Sequence, residues 1–212
     1  MRRNVFGYVL VFVFCASLAF AQSADGVYSV TYFDNNVLNG PFDATVRIIN
    51  PGVSGSPIAP DQGTLCANLY IFDDQQEMVE CCSCSITANG LLTMSVQDLT
   101  ENPLTVVPYR GVIKLVATFP QPGCDPTQIN MLDPPNLRGF STHVQSATTT
   151  GAAPINGGST GPIFSITEDE FADAPLGVGE QNDLPLICSF VRYLGTGRGR
   201  CDDECNEPVY GD

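Results

Sequence analysis

Apolar and polar residues alternate with a period of two over much of the chain, the signature of half-buried strands. In Phe42–Ile49, the residues Phe42, Ala44, Val46 and Ile48 fall on one face, and Asp43, Thr45 and Arg47 on the other. Leu65, Ala67, Leu69 and Ile71 line one face of Thr64–Asp73, and Leu92, Met94 and Val96 line one face of the stretch after Leu91. In Val112–Phe119 the inward set is Ile113, Leu115, Ala117 and Phe119. Gly26–Phe33, Met78–Ile86, Leu137–Gln145 and Pro162–Thr167 complete about eight or nine predicted strands.

Turn chemistry punctuates them. Asn35-Asn36 and Asn39-Gly40 separate the first two strands, and Asp74–Glu77 joins Thr64–Asp73 to Met78–Ile86 as a hairpin. Ile86–Leu91 carries Asn89-Gly90, whose tolerance of positive φ predicts a second hairpin. Three Pro/Gly-rich stretches, Asn50–Gly63, Pro120–Asn136 and Ala147–Pro162, read as surface loops. Regular strand–turn spacing predicts a mainly β fold, an antiparallel β-sandwich. No repeat of fixed period points to a propeller or β-helix. One helix is predicted near the end: Asp183 caps it, and Pro185 sits in its first turn. Leu184, Ile187, Val191 and Leu194 recur at helical spacing, and Gly195 stops it. Thr167-Glu168-Asp169-Glu170 has capping-box spacing and predicts a short helical turn.

Residues 1–21 read as a secretory signal: basic Arg2 and Arg3, an apolar run Val5–Phe14 broken only by Gly7, and the small-x-small site Ala19-Phe20-Ala21. The run is too short for a membrane anchor, and no second hydrophobic span follows. Residues 22–212 are then expected to form a single β-rich domain with a C-terminal helix and a Cys-containing tail, a length that suits one domain. The chain has 23 acidic and 9 basic residues, a net charge of −14, and no Trp. Losing two arginines with the signal takes the charge to −16. Such a field repels phosphates, and no basic stripe offsets it, so nucleic acid is excluded as a partner and anionic membranes are poor ones.

Cleavage removes Cys15 and leaves eight cysteines: Cys66, Cys81, Cys82, Cys84, Cys124, Cys188, Cys201 and Cys205. An even count in an exported chain predicts disulfides that reinforce the fold. In a symmetric hairpin around Asp74–Glu77, Cys66 lies opposite Cys84 and is the first pair expected. Alternation puts Cys82 and Cys84 on one face and Cys81 on the other. Cys188 is expected to pair with Cys201 or Cys205. Thiolate metal binding is the competing reading, but neither Cys81-Cys82-x-Cys84 nor Cys201-x-x-x-Cys205 has the paired C-x-x-C spacing of zinc ribbons. For the same reason no redox-active C-x-x-C exists.

A further set of residues is recognisable as a group. It comprises Leu65-Cys66-Ala67-Asn68-Leu69-Tyr70-Ile71-Phe72, Gln76-Glu77-Met78-Val79-Glu80-Cys81-Cys82-Ser83-Cys84 and Asn89-Gly90-Leu91. It closes with Cys188, Gly195-x-Gly197-x-Gly199-x-Cys201 and Cys205. Together they resemble a recurring group of exported proteins of environmental bacteria, over most of residues 64–98 and 184–205. The Cys-Cys-x-Cys block is the specific part. The resemblance implies a bacterial secreted protein; the group has no established activity, so no catalytic residue is carried over.

No catalytic set emerges from the residues. His143 is the sole histidine, and Gly52-Val53-Ser54-Gly55 misses the spacing of a nucleophile elbow. His143 is read as a hydrogen-bonded strand residue on the same face as Leu137, Gly139 and Ser141. Paired carboxylates for glycoside hydrolysis would have to come from Glu168, Asp169, Glu170 and Asp173, or from Glu77 and Glu80. Capping and solvation are the favoured reading of those acids, and no Trp offers a sugar platform. No cofactor is expected. Calcium is the weak exception, with Asp202, Asp203 and Glu204 between two cysteines as candidates, and Asp73-Asp74 and Glu168–Glu170 behind them. The expectation is a non-enzymatic secreted or cell-envelope structural or binding protein: adhesive, filament-forming or ligand-binding. It is located in the periplasm, at the cell surface or in the medium, with self-association or a surface protein or glycan as partner. A secreted carboxylate-dependent glycan hydrolase is the alternative, and a thiol-metal or redox protein a lesser one.

Overall fold

The computed structural model describes residues 27–34, 43–52, 63–100, 108–120, 123–129, 137–147, 163–195 and 205. The fold is mainly β, with nine described strands in two antiparallel sheets, one described α-helix and a 3-10 turn at Asp98–Thr100. The strands are β1 (Val27–Asp34), β2 (Thr45–Ile49), β3 (Leu65–Asp73), β4 (Met78–Ile86) and β5 (Leu91–Ser95). They continue with β6 (Arg110–Thr118), β7 (Arg138–Ala147), β8 (Ile163–Glu170) and β9 (Ala172–Pro175), before helix α1 (Val178–Gly195). The first sheet has the order β4-β3-β6-β1-β9 and the second β5-β2-β7-β8.

Ala44, Val46 and Ile48, Leu92 and Met94, and Leu65, Ala67, Leu69 and Ile71 all lie in one buried cluster between the sheets. The period-two pattern therefore identified the sandwich faces. On β3 both faces are covered. Tyr70 points the other way, into a second cluster with Met78, Cys81, Val116 and Leu176, roofed by Leu184, Cys188 and Val191 of α1. The helix forms a third layer over the outer face of the first sheet.

Four local expectations are corrected. Asn89 does adopt positive φ (62°), but Ile86–Leu91 is not a hairpin. β4 pairs with β3, and β5 with β2 of the other sheet, so the turn is an arch between layers. Buried Asn50 holds this corner, its Nδ2 donating to Gly63 O (2.6 Å) and Ile86 O (2.9 Å) while its Oδ1 accepts from Gly52 N (3.0 Å). Thr167–Glu170 is strand, not helix: Glu168 lies opposite Thr142 and Glu170 opposite Phe140, so pairing along β7 overrides the capping pattern. The helix begins at Val178, five residues before the expected cap at Asp183, which leaves Pro185 inside it. An ion pair of Lys114 with Glu180 and the burial of Leu176 and Leu184 hold this earlier start. Finally, Ile187 and Leu194 do not join Leu184 and Val191 in the core; they are exposed, and Cys188 takes their place.

Candidate functional site

The expected pair Cys66–Cys84 does not form. At the hairpin end, Phe72 faces Met78, a register that would set Cys66 opposite Cys84. A bulge between Ile71 and Phe72 adds one residue on β4, so Cys66 faces Ser85 and Ala67 faces Cys84. A one-residue slip turns the two cysteines to opposite faces. Cys66 instead bonds Cys124, with Cα atoms 5.3 Å apart. Cys188 bonds neither Cys201 nor Cys205 but Cys81, at a Cα separation of 5.7 Å, because both point into the helix-side layer. The expected split of the Cys-Cys-x-Cys block holds: Cys82 and Cys84 face the sandwich core, Cys81 the helix. Cys84 is bonded to Cys205, and Cys82 is disulfide-bonded as well.

Three bonds thus fasten the loop at Cys124, helix α1 and Cys205 to the neighbouring strands β3 and β4. Polar contacts reinforce the same corner. Tyr70, fully buried on β3, donates its hydroxyl to Pro126 O (2.7 Å), and burial, with the Asp125 charge nearby, pushes its ionisation far up. Asp125 accepts from Thr127 N (2.9 Å) and Thr127 Oγ1 (2.8 Å) and pairs with Arg192 of α1 at 3.2 Å. Burial alone would raise its pKa, but the Thr127 hydrogen bonds and Arg192 together hold it below the usual carboxylate range.

Three sulfurs, those of Cys82, Cys84 and Cys205, lie within 4.8 Å of one another. They are the described group that could hold a soft metal as thiolates, though all three are here engaged in disulfides. Asp202, Asp203, Glu204 and Cys201 lie outside the described residues, as do the signal segment 1–21 and Ser54.

A second polar set sits between the sheets at β1 and β7. Thr31 and Ser141 share a hydrogen bond (2.9 Å), and Ser141 Oγ lies 3.1 Å from Nε2 of His143. Tyr32 stacks on the imidazole with ring centroids 4.1 Å apart. Asp169 Oδ2 is 4.0 Å from that same Nε2, while the buried Nδ1 has no hydrogen-bond partner. Burial lowers the His143 pKa below its ordinary value, and the charge of Asp169 opposes the shift only partly. A nucleophile–base–acid relay needs the acid on Nδ1, opposite the hydroxyl. Here hydroxyl and carboxylate share one nitrogen, and Ser141 is itself buried.

The carboxylate candidates are dispersed. Glu168 pairs with Arg47 (2.5 Å), and Glu170 takes a bidentate contact from Arg138 (2.6 and 2.7 Å). Asp173 accepts from Ser29 across β1 and β9 (3.2 Å). Glu77 lies exposed at the turn before β4, whereas Glu80 is buried beside Ile71. Asp73 caps its own turn, its Oδ1 accepting from Gln75 N (3.0 Å) and Glu77 N (2.9 Å), while Asp74 accepts from Gln75.

The chain matches no family model, no curated protein and no solved structure. Its site has to be read from its own geometry. The feature that sequence reasoning missed is the outer face of α1. Leu186, Ile187, Phe190, Tyr193 and Leu194 are 70%, 39%, 61%, 81% and 48% exposed, a large apolar surface beside the disulfide that anchors the helix. The signal was present: residues 186, 190 and 193 recur at i, i+4 and i+7, each two residues on from the buried set 184, 188 and 191 and so about 200° round the helix. No helix among the described residues is long and apolar enough to cross a membrane.

Proposed function

We propose that the protein is a non-enzymatic, exported structural or binding module of the cell envelope or its surroundings, with α1 as its working surface. One observation carries this reading: the Cys81–Cys188 bond fixes the helix covalently to the outer sheet while its apolar outer face stays exposed. A helix that served only to cover the sheet would not need large apolar residues on its far side. The disulfides suit an oxidising compartment. The sheet edges at β8 and β9 are less apt for partners. β8 ends in Glu168-Asp169-Glu170, and β9 is four residues long and closes on Pro175; charge and proline both discourage strand addition.

The glycan-hydrolase alternative gains nothing from the geometry, since the Glu168 and Glu170 carboxylates are each held by an arginine rather than open to a sugar oxygen. Purified oxidised protein should give no turnover on a panel of polysaccharides and esters, while mass spectrometry of the exported chain should find a start at Gln22 and no alkylatable thiol. Turnover abolished by Glu168→Gln or Glu170→Gln would overturn the reading, as would free thiols carrying a metal ion.

A further inference from the structure

The exposed positions of α1 have a symmetry that a random apolar patch lacks. Measured from Phe190, Leu186 and Leu194 lie four residues to either side, and Ile187 and Tyr193 three to either side. At about 100° per residue these five positions occupy one arc of roughly 120°, away from the buried arc of Leu184, Cys188 and Val191. A two-fold axis perpendicular to the helix at Phe190 therefore maps this set of five onto itself, leaving out only Val178 at the far end of the helix. In an antiparallel pair, Phe190 meets Phe190, Leu186 meets Leu194, and Ile187 meets Tyr193. Self-complementarity of this kind is what an isologous interface requires.

The area is also adequate. Weighted by their exposures, the five residues present about three full large side chains, roughly 600 Å² per copy at about 200 Å² each. A dimer would bury roughly 1,200 Å² in all, the lower end of stable specific interfaces. Of the ionic groups of the helix, Glu180 is paired with Lys114 and Arg192 with Asp125 inside the protomer, and exposed Asp183 lies on the same side as the stripe but seven residues, about 10 Å, from its centre at Phe190, beyond its last apolar position. A lipid surface fits less well: Arg192 is the helix's one basic residue, already paired, and the chain carries a net charge of −14.

We infer that the outer stripe of α1 is the interface with a second copy of this chain, packed antiparallel about Phe190. The inference rests on the binding-module reading for its choice of surface. The two fail separately: glycan turnover would remove that reading and leave a dimer intact, whereas a monomer without turnover would remove only the dimer.

The test is sedimentation velocity on the oxidised exported chain from about 1 to 100 μM, a range suited to affinities near the micromolar level. A concentration-dependent dimer is expected. It should tighten as salt rises from about 0.05 to 0.5 M, because screening relieves repulsion between two acidic protomers while the apolar contact remains. Phe190→Asp should weaken it by at least about 100-fold, since the substitution strikes the centre of the interface twice. The exposed Tyr193→Lys is the second variant, and an unchanged far-UV spectrum and disulfide count establish folding for both. The register is read by Leu186→Lys and Leu194→Glu. Each alone should be monomeric, and mixing the two should restore a heterodimer, because the two-fold sets position 186 of one copy against position 194 of the other. A monomer at every concentration, a dimer indifferent to Phe190→Asp, or no restoration on mixing would overturn the inference. So would binding of monomers to anionic or zwitterionic vesicles through the same face.

Discussion

Removing Cys81–Cys188 should cost less stability than removing Cys66–Cys124, although it spans 107 residues against 58. A disulfide stabilises chiefly by shortening the unfolded chain, and what counts is the shortest closed path once the other bonds are in place. For Cys66–Cys124 no other described bond offers a shortcut, so the loop is 58 residues and the chain-entropy cost of losing it is about 4.2 kcal/mol. For Cys81–Cys188 the Cys84–Cys205 bond does offer one: about 3 residues from Cys81 to Cys84 and about 17 back from Cys205. The effective loop is about 20 residues, and the expected loss is about 3.3 kcal/mol. A bridge from Cys82 can only shorten that path. Urea denaturation of the two double alanine variants should separate their midpoints by roughly 0.5 M for an m-value near 2 kcal/mol/M. The m-value itself is the control for packing, since it reports the surface exposed on unfolding; it should rise more for the Cys66/Cys124 variant. If the Cys81/Cys188 variant instead loses more stability and shows the larger m-value, the effective-loop reasoning is refuted.

Three further predictions follow from buried contacts. His143, with its folded-state pKa lowered by burial, contributes stability that is complete above its unfolded pKa of about 6.5 and declines as pH falls through that value toward the depressed folded pKa. Thermal unfolding between pH 7 and 5.5 should show this loss, and His143→Gln should flatten it; a slope unchanged by the substitution would be the wrong result. Asn50→Ala should cost about 3 kcal/mol by leaving the buried carbonyls of Gly63 and Ile86 without their donor. Asn50→Asp should be no better, because its carboxylate faces the same two oxygens; chemical denaturation of both variants checks this. A Cβ at Gly111 would overlap the carbonyl oxygen of Phe72 and lie 2.8 Å from the Phe33 ring, so Gly111→Ala should cost at least about 3 kcal/mol, read as a fall in urea midpoint.

The legible part of the fold is the part governed by local pattern. Val46 and Ile48 on β2, or Leu69 and Ile71 on β3, must face a core because their neighbours alternate with them, and they do. What stayed hidden depends on partners distant in sequence. Asn89 adopts the same positive φ whether the next strand returns alongside β4 or crosses to β2, so the dipeptide marks a turn without naming its destination. The bulge beside Ile71 has no glycine or proline to announce it, yet it decides the pairing of Cys66 and Cys84. β9 is too short for periodicity to register and exists because β1 pairs with it. On α1, helical spacing alone merges Leu184, Ile187, Val191 and Leu194 into one stripe. Only the position of the sheet resolves them into a buried set, Leu184 and Val191 with Cys188, and an exposed one. The seven described cysteines of the expected set were legible as disulfide formers, but their connectivity was not, since topology rather than spacing sets it.

The division of Cys81, Cys82 and Cys84 between two layers bears on how the chain can mature. A chain oxidised progressively from its N-terminus presents Cys66, Cys81, Cys82, Cys84 and Cys124 before Cys188 and Cys205, the partners of Cys81 and Cys84, are available. Even the earliest native bond, Cys66–Cys124, must pass over three intervening thiols. Early oxidation therefore favours mispaired bonds among these five cysteines. Such bonds would hold β4 away from its final partners, and the native set can form only by thiol–disulfide exchange once the last turns of the helix and the tail have arrived. Production of this protein in native form should depend on disulfide isomerisation more than on oxidation.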